Sequence, residues 1–141
     1  MQIYETDFDP IIKTDGSPVT KADLLSNAII KSALEQTGIP VIMEEITNSP
    51  YETRKNWESV WVVDPLDGTK EFIKKNGEFA ICIALIHQNR PVLGFIVSPV
   101  LEEIIFGGKE IPAHLLSFDA IGQTQNWKPL TARTTVNQPL K

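Results

Sequence analysis

Apolar and polar positions follow two different rhythms along this chain. In SPVTKADLLSNAIIKSALEQTG, Leu24, Leu25, Ala28, Ile29, Ala33 and Leu34 recur at the spacing of one helical face. Thr20 stands where an N-cap belongs, Gly38 lies just past the end, and Thr20-x-x-Asp23 has the form of a capping box. This stretch predicts a helix. From IPVIMEE onward the pattern changes to short apolar runs: a buried strand ending in Glu44 and Glu45, a polar loop over about residues 46–58, and a second strand in SVWVVD. After the DPLDGT turn, TKEFIKKNG reads as a short helix. FAICIALIHQ, PVLGFIVSPV and EEIIFGG then read as three strands, and their turns QNRP, SPVLEE and GGKE are short enough for antiparallel neighbours. From about Ser117 the pattern weakens into loop-like sequence, and VNQPLK stops without a closing element. There is no internal repeat.

The 141 residues, 42% hydrophobic and 22% charged, suffice for one domain with its own core. The net charge of -5 and the lack of any Lys/Arg run exclude non-specific nucleic-acid binding, so an anionic substrate needs local help. Cys82, the single cysteine, lies in the apolar run FAICIALI, where a buried, inert thiol is expected, and no internal disulfide is possible. With no apolar run of about 18 residues and no basic-then-apolar leader, the expectation is a soluble, cytoplasmic protein without a membrane span. His87 and His114 lack metal-ligand spacing and read as turn and surface residues. The absence of GxSxG, P-loop and GxGxxG motifs removes the serine hydrolase, nucleotide-switch and dinucleotide readings.

The chemistry concentrates in WVVDPLDGTKEF. Asp64 and Asp67 lie close together right after an apolar strand, where each raises the cost of ionising the other unless a cation sits between them. A strand ending at Asp64 delivers that side chain to the rim of a sheet. Pro65 then forces the backbone out of the ladder, and Asp67-Gly68 signals a turn. Mg²⁺ takes one or two carboxylates plus waters and substrate phosphate, so paired aspartates on a rigid turn suit it. Gly68 and Thr69 would head a helix whose free N–H groups favour phosphate. In isolation each feature has a plainer reading. DxxDG is also a strand end with a tight turn, Glu44-Glu45 a solvated loop start, and Asp23 a capping carboxylate. The spacing does not fit an EF-hand.

The ordered combination of SPVTKAD, EE, WVVDPLDGTKEF and NGEFAICIALI resembles the lithium-sensitive, metal-dependent phosphatase superfamily of inositol monophosphatases, fructose-1,6-bisphosphatases and 3'(2'),5'-bisphosphate nucleotidases. With PVLGFIVSP it looks most like the CysQ-type nucleotidase branch, and the resemblance covers nearly the whole chain. It implies a layered α/β (α+β) sandwich with a mostly antiparallel sheet and flanking helices. It also implies Mg²⁺-dependent hydrolysis of a small-molecule phosphomonoester, with 3'-phosphate removal from adenosine 3',5'-bisphosphate or its sulfated relative ahead of inositol phosphate. By the same resemblance, Glu44, Asp64, Asp67 and the Leu66 carbonyl would hold two or three Mg²⁺ ions, with Glu45 behind them. Thr69 and Asp23 would be the catalytic pair that activates water, and the Gly68 and Thr69 amides would hold phosphate. Lys13 matches a lysine of relatives, with either a phosphate-binding or a solvated role.

The chain departs from the family in two places. The initial helix is missing or reduced to MQIYE, and no WD-x-A-A-G-like segment follows, since Trp127 precedes Lys128. Residues 1–141 therefore read as a single N-terminal lobe, either truncated or completed by another polypeptide, with an inactive metal- or phosphate-binding lobe that needs a partner as the alternative. Self-association through the uncovered lobe interface is a further expectation.

Overall fold

The computed structural model describes residues 3–6, 10–14, 16, 18–46 and 48–131. A two-stranded hairpin, β1 (Ile11–Ile12) and β2 (Pro18–Val19), leads into α1 (Lys21–Glu35). Then come β3 (Val41–Met43), a one-turn helix α2 (Tyr51–Arg54), β4 (Ser59–Asp67) and α3 (Thr69–Lys74). The second half contains β5 (Ala80–His87), β6 (Arg90–Ser98), β7 (Glu103–Gly108), β8 (His114–Ser117) and β9 (Lys128–Pro129). The strands β3 to β9 form one sheet in chain order; β3 pairs with β4 in parallel and every later pair is antiparallel. The result is the expected layered α+β arrangement with a mostly antiparallel sheet.

The helix α1 forms where predicted, with Thr20 as its N-cap, but it turns an unexpected face inward. Asp23 and Asn27 are its buried residues, whereas Leu24, Leu25 and Ile29 are exposed. The inward face lies over Met43, Trp61 and Val63, all buried, and the Trp61 indole donates to Thr37 Oγ1 at 3.1 Å just past the helix. Tertiary hydrogen bonds at Asp23 outweigh the local apolar stripe here.

Three other expectations change. The strand at SVWVVD does not end at Asp64; it runs to Asp67 through a bulge. The polar loop of residues 46–58 contains α2. The loop-like tail contributes β9, and a strand over His114–Ser117 precedes it. Both are held because Leu116 and Ala120 pack on Phe106, with Trp127 edge-on to that ring at 4.9 Å. Burial there comes from distant partners, which periodicity does not register. The VNQPLK stretch lies outside the described residues.

A second core sits under the DPLDGT segment. Leu66, Phe72 and Phe79 are buried together with Tyr4 against them, and the three aromatic rings are 4.9–5.1 Å apart by centroid. This cluster anchors both ends of the turn between β4 and α3. The opposite sheet face leaves Val62, Ile96 and Ile105 exposed.

Candidate metal and phosphate site

The bulge in β4 decides which way the acids point. Asp64 pairs with Cys82 and Asp67 with Ala80, so three steps along β4 match two along β5. Side chains alternate along a strand, and a three-residue step would place the two aspartates on opposite faces; the extra residue restores them to one face. Pro65, with no N–H to give a ladder, sits inside that irregularity. The Asp64 carboxylate is held from behind by the Leu66 N–H, which donates to Oδ1 at 3.0 Å.

Glu44 reaches the same place from β3, whose parallel ladder with β4 continues through the Glu44 N–H to Val63 O at 3.2 Å. Asn48 fixes the turn beyond: its side-chain amide makes reciprocal hydrogen bonds with Met43, at 3.0 and 2.8 Å. Partial desolvation, and then the charge of Asp64 and a hydrogen bond shared with it, push the Glu44 carboxyl above the usual range. Lys13 acts in the opposite direction.

Lys13 is placed by the β1–β2 hairpin. Its ammonium donates to Glu45 at 2.7 Å and lies 3.9 Å from Glu44. Glu45, with a side chain only 6% exposed, is thereby neutralised and sits behind Glu44. Of the two roles open to Lys13, the structure adds a third, as counter-ion to the glutamate pair.

Asp23 serves two partners at once. Its Oδ2 accepts from the Thr20 N–H at 2.7 Å and from the Thr20 hydroxyl at 2.6 Å, completing the capping box. Its Oδ1 accepts from the Thr69 hydroxyl at 3.1 Å. The capping box and the contact with Thr69 coexist, one oxygen each. Thr69 Oγ1 also lies 3.3 Å from the Leu66 carbonyl, so its single proton is shared between two acceptors.

Gly68 is the N-cap of α3 and has φ 92°, which an L side chain rarely adopts. A Cβ there would stand 2.9 Å from Glu78 O and 3.3 Å from Phe79 Cα. Gly68→Ala is therefore expected to destabilise the fold by about 2 kcal/mol or more, as strain and backbone collision combine. Gly94→Ala, whose Cβ would meet only Ile83 O at 4.0 Å, is the matched control, and urea denaturation of both variants measures the difference.

Cys82 is only partly buried and lies on the aspartate face, with Sγ 4.0 Å from Asp67 Oδ2. Desolvation, then Asp67 and Asp64, push its thiol up, although the side chain is not buried as the apolar run led one to expect. His87 bonds Ser59 and lies 4.0 Å from Glu58, and His114 bonds the Pro112 carbonyl.

The donors are all hard oxygens, as magnesium requires. Among the described residues no three acidic, imidazole or thiol groups converge tightly enough to enclose one ion. Pairs of carboxylates sharing a face fit a cation that keeps several waters and completes its shell with substrate oxygens. Ser26, Asn48 and the Lys13–Glu45 pair support this arrangement, and none carries a recognisable local motif.

The sequence model of the inositol monophosphatase family matches residues 2–134. The chain belongs to that family. It is 46% identical over 106 residues to the 3'(2'),5'-bisphosphate nucleotidase CysQ of Shigella flexneri, covering 72% of this chain and 43% of that protein. Against the CysQ nucleotidase of Haemophilus influenzae the identity is 33% over 143 residues, 99% of this chain and 51% of the relative. The crystal structure of CysQ from Bacteroides thetaiotaomicron superposes with a TM-score of 0.76 at 33% identity, covering 96% of this family member and 53% of that chain. The chain thus spans about half the length of the relatives it matches. Among the described residues, no helix is long and apolar enough to cross a membrane.

Proposed function

We propose that these residues form the N-terminal lobe of a magnesium-dependent phosphatase that removes the 3'-phosphate of adenosine 3',5'-bisphosphate. The observation that carries the reading is the bulge that turns Asp64 and Asp67 to one face beside Glu44, next to a Thr69 hydroxyl already held by Asp23. The nucleotide substrate follows from the likeness to bisphosphate nucleotidases.

Glu44, Asp64, Asp67 and the Leu66 carbonyl would hold the magnesium ions. When bound, magnesium supplies charge stabilisation at the phosphate oxygens in an otherwise acidic site. The chain's own residues do the remaining work. The Thr69 hydroxyl donates its hydrogen bond to Asp23, which leaves its oxygen lone pairs free to accept from a water and orient it toward phosphorus. The Asp23 carboxylate is held in place for this because Thr20 donates to its other oxygen twice, through N–H and hydroxyl. Gly68 makes the turn that presents the first backbone N–H groups of α3, which have no partner within the helix, to a phosphate oxygen.

The test is phosphate release by the complete enzyme from adenosine 3',5'-bisphosphate and from inositol 1-phosphate, with Mg²⁺ and with excess EDTA. Release from the nucleotide is expected to be the faster of the two and to stop in EDTA. Undiminished release in EDTA would overturn the metal reading, and preference for inositol 1-phosphate would overturn the substrate. Release from neither, with Mg²⁺ still bound, would leave a binding lobe in place of an enzyme.

A further inference from the structure

The bulge that aligns the aspartates creates a bonding problem of its own. Between the Asp64–Cys82 and Asp67–Ala80 pairs neither Pro65 nor Leu66 has a cross-strand partner, and Pro65 is fully buried. A buried carbonyl without a donor is costly, so Pro65 O needs one from elsewhere. The Ser26 hydroxyl supplies it at 2.8 Å, from the middle of α1 and 39 positions away in sequence. Three residues earlier on the same helix, Asp23 accepts the Thr69 hydroxyl. One rigid helix therefore grips the segment 65–69 at both ends.

We propose that Ser26 is a positioning residue whose hydroxyl sets the peptide plane of Pro65 and thereby the relative orientation of Asp64 and Asp67. The role rests on the metal-site reading above and assigns a function to a residue outside the acidic cluster. Without the hydroxyl, Pro65 O would rotate toward another donor, and the Leu66 N–H would be drawn away from Asp64 Oδ1. The two carboxylates would then no longer share one fixed spacing. Alanine is a better helix former than serine, so Ser26→Ala does not act by weakening α1.

The experiment compares wild type, Ser26→Ala and Ser26→Thr by amide hydrogen exchange and by Mn²⁺ binding followed with electron paramagnetic resonance. In Ser26→Ala, exchange at Leu66 and Asp67 should speed up about tenfold, the equivalent of one net hydrogen bond, while β5 and β6 exchange as in wild type. Mn²⁺ affinity should fall about tenfold in parallel, within the range for losing a supporting partner of a metal ligand. Threonine, which keeps the hydroxyl, should restore both. Unchanged exchange at Leu66 and Asp67 in Ser26→Ala overturns the proposal whatever the metal does. Faster exchange with unaltered Mn²⁺ affinity also overturns it, since Ser26 would then only stabilise the fold. If wild type binds no Mn²⁺, the metal-site reading fails, and the exchange data alone decide whether Ser26 sets the bulge.

Discussion

Asp64→Asn is expected to cut turnover of the complete enzyme by more than about 100-fold, because outer partners of metal ligands alone typically cost about 10- to 100-fold. Asp64 interacts with Glu44 and shares a strand face with Asp67, so both lose the charge that would share a cation with them. The substitution should not damage the fold. An asparagine Oδ1 can still accept the Leu66 N–H that now bonds Asp64, so the turn keeps its support. Removing the charge also relieves the repulsion that helps to raise Glu44, whose carboxyl should move back toward its ordinary range. Activity and stability are therefore expected to separate, with Mn²⁺ affinity and turnover falling while the melting temperature holds or rises. Phosphate release, Mn²⁺ titration and a thermal melt on one preparation check this. An Asp64→Asn variant with wild-type turnover would remove Asp64 from the site.

A second large effect is expected at Thr69 and Asp23. Thr69→Ala and Asp23→Asn should each lower kcat by about 100-fold or more, the range for losing positioned acid–base help. Since one hydrogen bond joins them, the double variant should be little worse than the worse single, as for residues acting as a unit. The two singles should differ in stability. Asp23 also closes the capping box, so Asp23→Asn should cost about 1 kcal/mol that Thr69→Ala does not. Steady-state kinetics with denaturant melts on all three variants separate these contributions. Additive losses in kcat would show that Asp23 and Thr69 act independently.

Much of this site can be read along the chain because its parts are local. Thr20-x-x-Asp23 caps a helix whatever surrounds it, and Asp67-Gly68-Thr69 must turn, since Gly68 adopts a positive φ that an L side chain resists. The order of acids along the chain places Glu44 just past β3 and Asp67 at the end of β4, and the turns after β5 and β6 are short enough to make the sheet antiparallel. Cys82 lies in an apolar run, yet its thiol is less buried than that run suggests.

Other features depend on residues far apart in sequence. A period of two would have turned Asp64 and Asp67 away from each other, and only the β4–β5 register, with its extra residue, turns them together. The inward face of α1 is polar because Asp23 and Ser26 find Thr69 and Pro65 on β4 and α3, partners that a helical wheel does not contain. Lys13 becomes a counter-ion because a hairpin carries it to Glu45, 32 positions on. Residue types, caps and turns were thus determined by the sequence itself, through short-range sterics and hydrogen bonding. That Asp64 and Asp67 share one face beside Glu44, with a hydroxyl and supports nearby, was decided by the tertiary structure, because strand register and buried long-range hydrogen bonds exist only once the chain has closed on itself.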